Sequence, residues 1–387
     1  MSLDGETARF SATPEERKTH SLTARERRIL RAIRDHGQIS RAALIQETGL
    51  SGVAVFRATT ELAAAGLLEI GATVTSGRGQ PSNSVHLNPS AVTVLGLSVM
   101  NDHAEAVLLD FTGAPIATAG VGTLGMKRND VARNVDKFLD RALAANNLSR
   151  ATVIGAGIAI AGFFVDPNSA VNPAAELDDW ALIDLANTMS ILLQLPVRIE
   201  NIANAAAVGE KLLGVGRDLT NFVYLNFSQG FGAGLVIDGK LARGCYGNAG
   251  EVGGLLSIAG LPSPSLTSLR HELAAHGLRF ENVIEMAQLF DPTWPGVASW
   301  LEAHAPSVSF LVNALRYTVD CEAIIFGGLL PPPLADELSA RVRPYDEVVP
   351  PRRDVGWKWP QLLRASITAH SASIGVAAEW LARDYFD

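Results

Sequence analysis

The sequence predicts a small α+β head followed by a larger α/β body, whose two strand-rich lobes face each other across a cleft. Three observations carry this reading. Residues 21–88 read as three short helices separated by Gly- and Ser-bearing turns, then a hairpin. From residue 89 onward, apolar runs of strand length alternate with amphipathic helical stretches. That alternation occurs twice, as expected of two α/β layers built one after the other.

The chain of 387 residues is long enough for two or three domains with a substantial core. Its 19 % charged and 48 % hydrophobic content is that of a globular protein. Two cysteines, Cys245 and Cys321, exclude a disulfide framework or a Cys-rich metal site. No apolar run reaches the 18 or so residues of a membrane span, and no leader-like segment is evident, so a cytoplasmic protein is expected. Residues 1–20 are expected to be a disordered extension. The net charge of −8 divides unevenly, +2 over residues 1–88 and −10 over the rest. Contact with nucleic acid is therefore expected through the head alone.

In the head, TARERRILRAIRDHG sets Ile29, Leu30 and Ile33 at helical spacing behind Thr23, a candidate N-cap. Ser40 opens a second helix, RAALIQET. Gly49 makes a tight turn, and Ser51 opens a third helix that Gly66 stops. Strands starting at Leu67 and in SVHLNP flank a Gly-rich tip, GATVTSGRGQPSN. Three helices and a two-stranded wing make a winged helix-turn-helix; a helical protein-interaction module is the alternative. In the DNA-binding reading the third helix enters the major groove. Ser51, Val53, Ala54, Phe56, Arg57 and Thr60 are then the candidate contacts on it, with Thr59 as a further phosphate contact and Arg78 reaching from the wing tip. The helix is apolar where bases are read, which implies either methyl contacts to thymine or modest specificity.

In the body, VTVLGLSV, AEAVLLDF and PIATAGVG read as three strands, followed by a helix over 133–146. Then come the strand TVIGAGIAI, a helix over 183–193 and the strand PVRIE. The second block has strands FVYLNF, GAGLVID, KLARG and AIIFGG, several helices, and a last helix over 371–382. This is the two-lobed actin-like, sugar-kinase (ribonuclease H-like) architecture. Lobe one is placed at about 89–200 plus 371–387, and lobe two at about 201–370.

The segments AGFFVDPNSAVNPAAELDDW, LPVRIENIANAAAVGEKLLGVGRD, SQGFGAGLVIDGKLARGCYGNAGEVGGL and IIFGGLL, in that order, resemble the ROK family of bacterial sugar kinases and sugar-responsive repressors. A winged helix-turn-helix ahead of such a body resembles the repressor branch, of the xylose and N-acetylglucosamine type. Membership alone does not fix activity. In the family's kinases, the position of ENIANAAA carries an aspartate that takes the proton from the attacking sugar hydroxyl. Ile202 stands there, and general-base catalysis is typically worth about 10²–10⁴-fold. The kinases' first phosphate motif, Asp-x-Gly-x-Thr, is replaced by SVMNDHAEA, with Ser98 in the acidic position. QGFGAG and Gly327-Gly328 are retained, and glycines there also serve tight packing. The family's zinc histidine is replaced by glycine in Gly250-Glu251-Val252-Gly253-Gly254, and its cysteines are absent, so no metal is expected. His271 and His276, in HELAAH, are five apart and do not share a helix face.

The resemblance assigns ligand contacts to Gly162, Asn201 and Glu251. Glu176, a further candidate ligand contact, stands where the family has a sugar-binding asparagine, and Thr267 where it has a later glutamate. Asn201 and Glu251 capping local backbone is the alternative. The expected protein is a non-enzymatic, DNA-binding regulator without cofactor, most simply a repressor. It would bind palindromic operator DNA as a homodimer or tetramer and sense a carbohydrate-like effector. An ATP-dependent sugar kinase with a regulatory head is the competing reading.

Overall fold

The computed structural model describes residues 22–74, 82–166, 170–345 and 358–387. The head opens with α1 (Ala24–His36), whose first turn is closed reciprocally: Thr23 Oγ1 accepts from Glu26 N, and Thr23 N donates to the Glu26 carboxylate at 2.7 Å. A short strand β1 (Gln38–Ser40) leads into α2 (Arg41–Thr48), capped by Ser40, and Gly49 ends it in the left-handed region. Ser51 caps α3 (Gly52–Ala64), after which β2 (Leu68–Val74) and β3 (Ser82–Leu87) form the wing. The wing has three strands rather than the expected two, because β1 pairs antiparallel with the free edge of β3. At three residues, β1 is too short to carry a periodic signal. The wing tip, with Arg78, lies outside the described residues.

Lobe one is an antiparallel meander of β4 (Thr93–Val99), β5 (Ala104–Leu109) and β6 (Pro115–Gly120), then α4 (Arg128–Ala145) and β7 (Val153–Ile160). A hairpin of β8 (Phe163–Asp166) and β9 (Ala170–Asn172) leads to α5 (Leu185–Leu193) and β10 (Val197–Asn201). The sheet order is β10-β7-β4-β5-β6, with β4, β7 and β10 parallel. The helix α4 starts five residues before the expected Arg133. Asp179, distant in sequence, accepts from both the backbone and the guanidinium of Arg128 and so supplies a terminus that no local residue encodes.

After α6 (Ile202–Leu213) the second lobe repeats the plan with β11 (Phe222–Phe227), β12 (Phe231–Ile237) and β13 (Lys240–Leu241). Helices α7 (Val252–Ile258), α8 (Leu266–Ala275), α9 (Val283–Leu289) and α10 (Val297–Thr318) follow. Next come β14 (Ala323–Gly328), α11 (Pro332–Arg341), β15 (Gln361–Arg364) and α12 (Ser371–Leu381), which runs into a π turn, Ala382–Phe386. The order β13-β12-β11-β14-β15 repeats that of lobe one strand for strand.

Each lobe has its own apolar core on the outer face of its sheet. Between the lobes, α6 packs on β11 and β12 while α12 packs on β4, β5 and β7, and the two helices lie against each other. Their backbones nearly touch: a Cβ on Gly375 would fall 1.8 Å from the Ala205 carbonyl oxygen. The small residues of ANAAAVG permit that approach. A third core is shared. It joins Ile29, Leu30, Ile33, Val85 and Leu87 of the head to Val94, Val107, Phe111, Trp380, Tyr385 and Phe386 of the body. Head and body are continuous, with only residues 88–92 between β3 and β4.

Candidate ligand cleft and DNA-facing helix

The strand β10 carries the chain to the floor of the interlobe cleft, where it hands over to α6. Asn201 is the N-cap: its Oδ1 accepts from Ala203 N at 2.8 Å, and its Nδ2 donates to the Gly162 carbonyl at 3.0 Å. Gly162 has φ 141°, and a Cβ there would lie 2.8 Å from Pro173 Cα, so only glycine brings this backbone against the cap. Ile202 follows, 7 % exposed and packed with Met100, Ala159, Ala205, Ala372 and Val376. Asn201, Gly162 and Ile202 line one wall of a cavity of about 290 Å³, near the lower end of the roughly 300–1,000 Å³ usual for small-molecule sites.

Glu251 lines the same cavity. It precedes α7 but caps nothing, and its carboxylate has no hydrogen-bond partner among the described residues. Burial raises its pKa above the ordinary value. The two capping alternatives therefore separate: Asn201 caps backbone and Glu251 does not. Asn226 also lines the cleft, on the otherwise apolar strand FVYLNF, and its side-chain amide has no hydrogen-bond partner among the described residues. A lone asparagine in a fully buried strand run was a legible signal that the sequence reading passed over.

The expected contact Glu176 does not line the cavity, and neither does Thr267. Glu176 is exposed on a 3₁₀ turn, Ala175–Trp180, because Leu177 and Trp180 of the same turn take the buried positions. Thr267 spends its hydroxyl on the Gln229 carbonyl at 2.8 Å. His271 and His276 are both exposed. No group of three or more His, Cys, Asp or Glu among the described residues is placed to hold a metal.

Side chains bridge the lobes around this cavity. Asn248 exchanges two hydrogen bonds with the Phe164 backbone, at 2.7 and 2.8 Å. Gln229 Oε1 accepts from Asn101 N at 3.1 Å, and its Nε2 donates to Asp102. The two segments that would grip phosphate in a kinase are thus bonded to one another. Gly327 and Gly328 have a packing role, since a Cβ on Gly327 would lie 2.3 Å from the Tyr224 hydroxyl and Gly328 N donates to that hydroxyl at 2.6 Å. A third bridge is Arg243, which donates to Glu200 at 2.7 Å and also to Glu379 on α12. Glu200 in turn accepts from Asn201 N and from Asn204 Nδ2. Burial raises the Glu379 pKa, with the Glu200 charge adding to it and Arg243 opposing.

From the cleft, two helices run to the head. At the far end of α6, Glu210 is fully buried and accepts from Val215 N, Ser366 N and Ile367 N at 2.8–2.9 Å. The loop it fixes presents Arg217 to Asp35 of α1 at 3.8 Å. Beside it, α12 ends in the π turn. Arg27 donates to the Asp384 carbonyl at 2.7 Å, Arg31 donates to the Phe386 carbonyl at 2.7 Å, and the Arg34 guanidinium lies 4.6 Å from the Phe386 ring centroid. Arg198, on β10, reaches Asp384 at 2.8 Å and stacks on Trp380.

On α3, Val55, Ala58, Thr59 and Leu62 face the head's core, while Val53, Phe56, Arg57 and Thr60 face outward. Thr59 is buried and cannot serve as a phosphate contact. Ser51 caps the helix through Ala54 N, Arg57 pairs with Glu61 at 2.8 Å, and Thr60 donates to the Phe56 carbonyl. Sequence reasoning missed Arg41, which donates to Thr59 and holds its guanidinium 4.8 Å from the Phe56 ring centroid.

Comparison with known proteins agrees with both halves. The ROK family model matches residues 95–261, and the MarR family model matches residues 20–79. An uncharacterized protein of Sinorhizobium fredii is 26 % identical over 316 residues, covering 80 % of this chain and 79 % of its own. The xylose repressor of Bacillus subtilis is 30 % identical over 228 residues, 58 % of each chain, so the match spans less than two thirds of that repressor. Among solved structures, a ROK family transcriptional regulator homologous to the Escherichia coli MLC protein superposes with a TM-score of 0.65 at 18 % identity, covering 93 % of this chain and 96 % of its own. A MarR-like winged helix-turn-helix thus stands ahead of a body whose residues 95–261 match the ROK family model.

Proposed function

We propose that this protein is a cytoplasmic transcriptional repressor of sugar-utilisation genes. Its winged head binds operator DNA, and its interlobe cleft binds a small polyhydroxylated effector that it does not phosphorylate. The observation that carries the reading is the junction at α6. The helix begins in the cleft with a sugar-type cap, Asn201, and an aliphatic Ile202 in place of a base. Its other end leads to the loop that touches the head. An aliphatic side chain accepts no proton, and the Gln229 bridge to Asn101 and Asp102 occupies the ground where phosphates would be held. Glu251 and Asn226 supply uncommitted polar groups for hydroxyls.

Repression and release follow from the shared core. The head is fixed to lobe one through the π turn and to the end of α6 through Arg217. A ligand that changes the angle between the lobes therefore changes how two heads of a dimer are spaced, and half-sites must lie about one helical turn, or a multiple of it, apart. Release requires the effector to bind the DNA-free arrangement better than the DNA-bound one. Footprinting on the DNA upstream of its own gene, at fixed salt, tests the head: two protected half-sites support a dimeric operator reader. Thermal shift against a panel of pentoses, hexoses and amino sugars tests the cleft, since a ligand of the native state raises stability by mass action. DNA protection that no bound sugar alters would refute effector control.

A further inference from the structure

Each polar side chain at the exposed face of α3 spends one hydrogen bond within the head: Ser51 Oγ accepts from Ala54 N at 3.3 Å, Arg57 Nε donates to Glu61 at 2.8 Å, and Thr60 donates to the Phe56 carbonyl at 2.8 Å. Beside them projects an apolar pair. Val53 is 81 % exposed and Phe56 59 %, one turn apart on the same face. Such residues gain nothing from water, and the head's own core does not use them. Nor is Phe56 loose. Arg41 stacks on its ring and is itself anchored at 2.9 Å to the buried Thr59 hydroxyl, so the ring is held in place before any partner arrives. Two further guanidiniums flank this face. Arg25 lines a recess beside Arg57, Arg28 lies against Gly49 in the turn before α3, and neither has an ion-pair partner among the described residues.

Resting on the reading of the head as a DNA binder, we infer that α3 recognises thymine by its C5-methyl group. Val53 and Phe56 form the methyl-reading pair, Arg41 is the positioning residue for the Phe56 ring, and Arg25 and Arg28 supply phosphate contacts. The chemistry is direct. In the major groove the methyl group is the only apolar feature of a base edge, and it distinguishes T·A from the other pairs without a hydrogen bond. Cations at the rim fix register on the backbone and carry no sequence information.

Burying one methyl-sized group is worth about fourfold in affinity, from roughly 0.8 kcal/mol per carbon. With two methyls in each of two half-sites, the product is about two orders of magnitude. The test starts from a random duplex pool enriched on the full-length protein. Enriched duplexes are resynthesised with uracil replacing thymine, position by position, and binding is followed by fluorescence anisotropy at one salt concentration. The expected result is a loss of about fourfold at one or two thymines per half-site, abolished by Phe56→Ala or Val53→Ala. Both side chains are exposed, so unchanged melting temperatures would certify those variants as folded. Arg41→Gln should weaken the same discrimination, whereas Arg25→Gln should lower affinity for thymine and uracil duplexes alike and flatten the salt dependence. If selective duplexes emerge but uracil substitution is silent, or if discrimination survives both alanine variants, methyl reading is overturned and DNA binding stands. If no duplex is enriched above salt-sensitive background, the DNA-binding reading and this inference fall together.

Discussion

Truncating Phe386 to alanine should undock the head without unfolding the lobes. The ring is 2 % exposed, stacks on Phe111 at 5.7 Å between centroids, and lies 4.6 Å from the Arg34 guanidinium. Phe→Ala in a core costs about 3–5 kcal/mol. That range already contains the ring pairing, about 0.5–1.5 kcal/mol, and the cation–π contact, about 0.5–2 kcal/mol. The backbone acceptors for Arg27 and Arg31 survive the substitution, so the loss falls on the apolar seam between α1 and the π turn. At about 1.4 kcal/mol per decade, local opening of that seam becomes roughly two to three and a half orders of magnitude more frequent. Hydrogen exchange resolves the effect by location. Amides of α1, residues 24–36, should exchange faster by that factor while those of α4, residues 128–145, keep their protection. Uniform acceleration of both helices would mean that the ring belongs to the body's global stability. The account of the π turn as the clamp on the head would then be wrong.

Replacing Ile202 by aspartate puts a carboxylate at a site that is 7 % exposed and lined by Met100, Ala159 and Val376; it should cost about 2–5 kcal/mol in thermal denaturation. It should also leave ATP-dependent sugar phosphorylation at background, and a gain approaching the roughly 10²–10⁴-fold worth of a general base would reinstate the kinase reading. The cluster of Glu105 with His370 and His103 gives a pH signature. Burial pushes the Glu105 pKa up, but the hydrogen bonds and charges of the two histidines outweigh it and hold it at about 2, while Glu105 raises that of His370. The carboxylate's contribution is present above its unfolded value of 4.5 and is lost as pH falls toward 2. The imidazole's is present below 6.5 and is lost as pH rises through its raised folded value. Melting temperature should therefore fall less between pH 6 and 8.5 in Glu105→Gln than in the wild type, and equal slopes would refute the pairing. Glu251→Leu should abolish the thermal shift given by whichever panel sugar binds the wild type; an undiminished shift would place the ligand elsewhere.

Much of the architecture was legible in the chain because it depends on local rules. Ser51 ahead of an apolar-periodic run fixed the start of α3, and Gly49 fixed the turn before it. The fully buried strands FVYLNF and AIIFGG announced themselves as unbroken apolar runs. What lacked a local signature was missed: β1 is three residues held by a partner strand, and the first turns of α4 depend on Asp179. At the site, the isoleucine at position 202 and the glycines at 253 and 254 are statements about identity, and identity is what a sequence records. Whether a side chain is free is not. Asn201 and Glu251 looked alike as candidate caps, yet only the fold spends one on a helix terminus and leaves the other open. Glu176 looked like a ligand until Leu177 and Trp180 took the interior of its turn. The sequence alone recorded which residue stands at position 202 and where the helices of the winged head begin and end. The joining of head to cleft was decided by tertiary structure, because the contacts of Arg27, Arg31 and Arg34 with the π turn span some 350 positions of chain, and no local pattern encodes a partner at that distance.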